Sequence, residues 1–191
     1  MSRDSGDLLF PPEPGSGFEL DPGLPEQFPE DDDGELKPLL GDDYYMRAAL
    51  RCAQQAADAG EVPVGAVAVK DGLIIARSWN QVELLKDATA HAELMLIASL
   101  PQIVGDWRLD GIDIYVTKEP CAMCAGAMVN ARVRRVVYAL PDPRSGGCGS
   151  ALDVTGFPGM LWQVEAVGGV LAEEAKEVMQ AFFRDVRARR S

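Results

Sequence analysis

An α/β domain whose sheet is covered by helices on both faces is the architecture that this sequence predicts. Three observations predict it. From Tyr44 onward, stretches with three- and four-residue apolar spacing alternate with β-branched, strand-like runs. The length of 191 residues suits one ordinary domain with room for a core, preceded by a segment of different composition. Apolar residues make up 47% and charged residues 25%, a globular balance, and no apolar run reaches the length of a membrane span.

Residues 1–42 are dominated by Pro, Gly, Asp and Glu and include the like-charge run Glu30-Asp31-Asp32-Asp33. Their apolar surface is too small to offset the entropy of ordering. They are expected to form a disordered acidic tail ahead of a folded unit at residues 43–191. The first residues resemble neither a secretory signal nor an Arg-rich transit peptide. Four cysteines in such a chain point to metal or free thiols before disulfides, and the expected compartment is the cytoplasm. The net charge of −12 is unevenly spread. Residues 1–43 hold thirteen acidic and two basic residues, while residues 44–191 hold seventeen and sixteen. The folded part is therefore near neutral. Its last helix is locally basic at Arg184, Arg187, Arg189 and Arg190, which a phosphate backbone would feel in spite of the chain total.

The elements follow in order. Met46, Ala49, Leu50, Ala53, Ala56 and Ala57 recur at helical spacing, with Gly60 as a stop. Val62 to Val69 has the β-branched content of a buried strand. Asp71-Gly72 is a tight-turn pair, and Leu73 to Ser78 returns as the second strand of a hairpin. Asn80 follows at the sheet edge. Thr89 is a candidate cap for a helix over Ala90 to Leu100. Ile112 to Thr117 alternates as a third strand, and Cys121 to Ala131 is a short helix with Pro120 at its start. Arg134 to Tyr138 is a fourth strand, residues 142–149 are a Gly-rich loop, and Val164 to Leu171 is a candidate fifth strand. Glu173 to Arg190 closes the chain as a helix with an acidic start and a basic end, as its dipole favours. Cys52 falls on a helix and is expected to be buried. Cys148 falls in the Gly-rich loop and is expected to be accessible.

Chemistry concentrates between His91 and Cys124. His91 is the only histidine, Glu93 stands two residues later, and Pro120-Cys121-Ala122-Met123-Cys124 follows about thirty residues on. One imidazole and two thiols make three protein ligands for a tetrahedral Zn²⁺, with the fourth position left to water as in a catalytic site. Both ligand groups open helices just after strands, where backbone N–H groups and the dipole favour thiolates. Glu93 can lie beside that water without ligating the metal and carry its proton. A lone histidine is usually a core or surface residue, and a lone Cys-x-x-Cys is a redox or structural-zinc pair. The combination, however, is the pattern of a zinc-dependent deaminase. The metal motif alone leaves the base open among adenine, cytosine and guanine. A non-catalytic zinc module is disfavoured by Glu93, for which such a module has no use.

Beyond that motif the chain resembles the bacterial tRNA-specific adenosine deaminases, in the cytidine-deaminase-like superfamily. The resemblance covers roughly Tyr44 to Arg187. It rests on Val62-Pro63-Val64-Gly65-Ala66-Val67, Trp79-Asn80, Thr89-Ala90-His91-Ala92-Glu93, Tyr115-Val116-Thr117, Glu119 to Met128, Asp153-Val154 and Phe182-Phe183-Arg184. It implies a three-layer α/β/α cytidine-deaminase-like fold with a five-stranded mixed sheet and a homodimer. It also implies one Zn²⁺ per subunit on His91, Cys121 and Cys124, with Glu93 as proton shuttle. The implied substrate is the wobble adenosine of a tRNA anticodon stem-loop. Asn80 would read the flipped base, and Asp142, Arg144, Arg184 and Arg187 would contact the anticodon. Two departures stand out: Lys118 occupies a commonly apolar position and Phe157 a frequently polar one.

Overall fold

The computed structural model describes residues 40–190. Most of the expected acidic tail, residues 1–39, lies outside the described residues. Five helices and five strands follow in the order α1 (Asp42–Asp58), β1 (Gly65–Lys70), β2 (Leu73–Trp79), α2 (Val82–Leu85), α3 (Ala92–Val104), β3 (Asp113–Lys118), α4 (Ala122–Asn130), β4 (Arg135–Leu140), β5 (Glu165–Gly168) and α5 (Ala172–Arg190). The strands make one mixed sheet of order β2-β1-β3-β4-β5. β1 runs antiparallel to β2 and β3, while β3, β4 and β5 are parallel.

Strand alternation builds a core on each face. Ala66, Ala68, Ile114, Val116, Val136 and Tyr138 face α3 and α4, where Leu96, Leu100, Ala125 and Met128 are buried. Val67, Val69, Tyr115, Val137 and Ala139 face α1 and α5, against Tyr45, Met46, Ala49, Cys52 and Ala175. The result is the expected three-layer sandwich with a five-stranded mixed sheet. Asp71 and Gly72 both take positive φ in the β1–β2 turn, 50° and 76°, as a type I′ hairpin requires.

α1 reaches the sheet closely because Gly65 has no side chain. A Cβ there would stand 2.3 Å from Ala49 O and Ala53 N. Gly60, at φ 83°, closes α1: its N–H donates to Ala57 O and that of Glu61 to Ala56 O, a Schellman pair. This turn delivers Glu61 to the sheet edge where the site lies. The folded part begins before the expected boundary at residue 43. Leu40 packs against the α1 core, and Asp42 takes a bidentate pair of hydrogen bonds from Arg135 at 2.8 and 2.9 Å.

Two local expectations are corrected. Thr89 does not cap α3; its N–H and hydroxyl both bond Asp87 Oδ1 in a turn, and His91 occupies the cap position itself. α3 also runs through Pro101 to Val104 instead of stopping at Leu100, and ends on Gly105 at φ 77°. Among the described residues, no helix is long and apolar enough to cross a membrane.

Candidate metal centre and substrate cavity

Two helix starts converge. His91 is the N-cap of α3 and Cys121 the N-cap of α4, both in extended backbone. Cys124 lies one turn into α4, on the same side as Cys121. His91 Nδ1 stands 3.7 Å from Cys121 Sγ and 3.5 Å from Cys124 Sγ, and the sulfurs are 3.6 Å apart. Tetrahedral zinc, with bonds of about 2.3 Å to sulfur and about 2.0 Å to nitrogen, separates two sulfurs by ~3.8 Å and sulfur from nitrogen by ~3.6 Å. The three atoms already hold that spacing, so the donor set fits one Zn²⁺. Among the described residues these three form the only such group. Hydrogen bonds from Cys124 and then His91 hold Cys121 as a thiolate, down to about 3, while the Cys121 contact and burial push Cys124 up.

Glu93 is buried in the first turn of α3. Burial raises its carboxyl above the ordinary range, against the opposing pull of the N–H groups of the helix start and of His91. A cavity of about 310 Å³ opens over this group, lined by Glu61, Val62, Val64, Asn80, Val82, Glu83, His91, Glu93, Lys118, Glu119, Cys121 and Ser145. Its size suits one small planar ring system. Asn80 is buried at the end of β2, its backbone N–H bonded to Val64 O.

The remaining candidate residues lie outside this wall. Asp142 opens the 142–150 loop and turns inward: its carboxylate is ion-paired with Lys118 and accepts the Arg144 N–H at 3.0 Å and the Ser145 hydroxyl at 2.5 Å. Lys118, ahead of Ser145, holds Asp142 well below the usual carboxylate range. The departure at Lys118 thus has a defined role, tying β3 to the loop over the cavity. Arg144 is exposed on that loop. Arg184 and Arg187 are exposed on α5 and do not line the cavity. A second groove separates α5, at Val178 to Arg189, from the α1 end at Gln54 to Gly60. Gly60 on the rim of this groove is followed directly by Glu61 and Val62 of the cavity wall.

Cys148, expected to be accessible, is buried at 7% exposure. The loop packs its glycines against the metal helix, with Gly147 over Ala122 and Ala125, and turns the thiol into the core. Burial pushes that thiol up to about 12, and burial also raises Cys52.

Two buried carboxylates were missed by the sequence reading. Glu119 Oε2 accepts the Asp142 N–H at 2.7 Å, and its Oε1 accepts those of Cys148 and Ser150 at 3.1 Å each. Glu61 Oε2 accepts Asn80 Nδ2 and the Glu83 N–H at 3.1 Å, and its Oε1 accepts the Leu84 N–H at 2.6 Å. The available signal was a single acidic residue set against an apolar strand or beside Pro120, in segments that the resemblance already spans.

Comparison with known proteins bears on this geometry. The model of the cytidine and deoxycytidylate deaminase zinc-binding region matches residues 41–140. The chain is 43% identical over 152 residues to the tRNA-specific adenosine deaminase of Bacillus subtilis (strain 168), covering 80% of this chain and 94% of that protein. It is 40% identical over 148 residues to the tRNA-specific adenosine deaminase of Aquifex aeolicus (strain VF5), covering 78% and 97%. Its fold superposes with a TM-score of 0.68 on a structure from work on A-to-I editing by tRNA:A34 deaminases at the wobble position of transfer RNA. That match has 41% identity and covers 71% of this chain and 98% of the other.

Proposed function

This chain belongs to the family of tRNA-specific adenosine deaminases, and we propose that it converts the wobble adenosine of a tRNA anticodon to inosine by hydrolysis. The observation that carries the reading is one cavity holding the buried Glu93 carboxyl, the His91 and Cys121 donors and Asn80. His91, Cys121 and Cys124 would hold one Zn²⁺, whose Lewis acidity, when bound, makes a water nucleophilic near neutral pH.

The other steps belong to the chain's own groups. Glu93 takes one proton from the attacking water and delivers it to N1 as the C6–O bond forms, then takes the second proton from the new C6 hydroxyl and delivers it to the exocyclic amine, so that C6–N6 breaks, ammonia leaves and C6=O remains. A carboxyl raised by burial is suited to both halves of that transfer. Asn80 hydrogen-bonds the edge of the extruded base. An anticodon loop presents that base at small unstacking cost, which supports RNA in preference to duplex. Arg184 and Arg187 neutralise backbone phosphates, while Asp142 and Arg144 present their loop to the anticodon. The protein acts in the cytoplasm as a homodimer. Exposed Leu152, Phe157, Met160 and Leu161 support a subunit contact, and Phe157 makes that surface more apolar.

The deciding experiment incubates the zinc-loaded protein with an anticodon stem-loop carrying adenosine at the wobble position, and separately with adenosine, cytidine and guanine. Inosine from the stem-loop alone is the expected result. Equal turnover of free adenosine would replace the RNA reading with a nucleoside deaminase. Guanine and cytidine are included because the metal motif alone does not distinguish their deamination from that of adenine.

A further inference from the structure

We propose that Glu61 is a positioning residue: it fixes the amide orientation of Asn80 and anchors α2 as a wall of the cavity, and so sets how the base is read. The proposal rests on the deaminase reading above.

Glu61 is 1% exposed. A carboxylate buried that deeply needs hydrogen bonds to persist, and it has three, from Asn80 Nδ2 and the N–H groups of Glu83 and Leu84. An ionised carboxylate only accepts, so the face of the Asn80 amide that meets it must be the NH₂. The Asn80 Oδ1 and its remaining N–H are then the groups open to a base in the cavity. An amide without that partner could turn half a revolution and exchange donor for acceptor at nearly the same shape. Adenine presents donors and acceptors in a fixed order along its edges, so the exchange changes what is recognised.

The second half of the role follows from α2. This helix has four residues and none of them is buried. Its place over the cavity therefore depends little on core packing and largely on the two N–H groups that Glu61 accepts. One carboxylate couples the base reader to the wall beside it.

The test is a double-mutant cycle on the full, zinc-loaded chain: Glu61→Ala, Asn80→Ala and the pair, with kcat and KM on the stem-loop, zinc content and Tm. Glu61→Ala is expected to raise KM about tenfold with zinc retained, and this effect should shrink below twofold in the Asn80→Ala background. An equal effect in both backgrounds overturns the proposal. If Glu61→Ala fails to fold, Glu61→Gln decides. Its own NH₂ must face one of the three donors, so KM should still rise several-fold, and a wild-type KM overturns the proposal. The ¹⁵N–¹H signals of the Asn80 side chain, read without substrate, test the contact independently of activity. They should shift and exchange faster in Glu61→Gln, and unchanged signals overturn the proposal. A wild-type chain that makes no inosine refutes the proposed function instead, and leaves this last readout intact.

Discussion

The carboxylate of Glu119 accepts the backbone N–H of Asp142 at 2.7 Å, two residues before the first cysteine of the metal group. Its other oxygen holds Cys148 and Ser150, so one buried side chain gathers the whole 142–150 loop onto α4. Gly146 completes the fit, since a Cβ there would lie 2.3 Å from the Glu119 carboxyl carbon. Glu119→Ala leaves three N–H donors without their acceptor and is expected to cost about 2–4 kcal/mol. The check is a lower denaturant midpoint at unchanged slope. Gly146→Ala should lower it too, because the added methyl displaces the same carboxylate.

Under the proposed function, metal binding and proton transfer fall to different residues, Cys121 and Glu93, and two variants tell them apart. Cys121→Ala removes a donor whose spacing matches zinc, and should lose both metal and stability, because site and folding are coupled. Glu93→Ala removes a carboxyl that is not in the donor group, and should keep about one zinc per chain and a native melt. Its turnover should fall by about 10²–10⁴-fold, the usual worth of a positioned acid–base. Elemental analysis beside single-turnover rates separates the two variants, and a Glu93→Ala protein without zinc would remove Glu93 from the proton-carrying role.

How much of this was legible in the sequence depends on how local each relationship is. The donor set was legible because Cys121 and Cys124 share one helical turn and His91 opens another, a spacing that survives in one dimension. The two-faced sheet was legible from the alternation of helix-spaced stretches with strand-like runs such as Val62 to Val69 and Ile112 to Thr117. Glu61 and Glu119 were not, because each acts through N–H groups 19 to 31 residues away, and nothing in a one-dimensional pattern distinguishes an acceptor of backbone donors from a surface carboxylate. Cys148 was misplaced for a related reason: a Gly-rich loop suggests exposure, yet here the glycines permit close packing. Thr89 lost its cap position to a local competitor, since Asp87 offers its N–H and hydroxyl a nearer partner.

Asp42 gives a pH test of where the fold begins. Arg135 donates to both of its oxygens and Tyr115 O–H to one at 2.7 Å, and the Arg135 hydrogen bonds hold its carboxyl below the ordinary range. A folded pKa below the unfolded one adds stability above about pH 4, and that stability is lost as the pH falls through the folded value. The pair is partly exposed, so about 1 kcal/mol is expected. Asp42→Asn should therefore lower Tm at pH 7, and the gap to wild type should close as the pH drops below about 4. A gap that stays constant down to pH 2 would show that the Asp42 charge contributes nothing.

Arg184 and Arg187 carry the last prediction. Both are exposed on the basic half of α5. Phosphate contacts of this kind release counterions, about 0.7 to 0.9 per neutralised charge, and carry no sequence information. Replacing both with Ala should therefore weaken stem-loop binding equally for matched and unmatched loops, and reduce the slope of log affinity against log salt by about 1.5. Zinc content and the rate at saturating RNA should not move. A changed loop preference at an unchanged salt slope would make these arginines base readers instead. The acidic residues 1–39 add eleven negative and two positive charges to the same chain. Charges that do not touch the RNA repel it only over the screening distance, about 8 Å at physiological salt and about 30 Å at 0.01 M. A chain that starts at Leu40, which keeps the Asp42 staple, should bind the stem-loop within about twofold of full length at physiological salt and more tightly at 0.01 M. Tightening well beyond twofold at physiological salt would place the tail on the arginines themselves, because only contact charges escape screening at that distance.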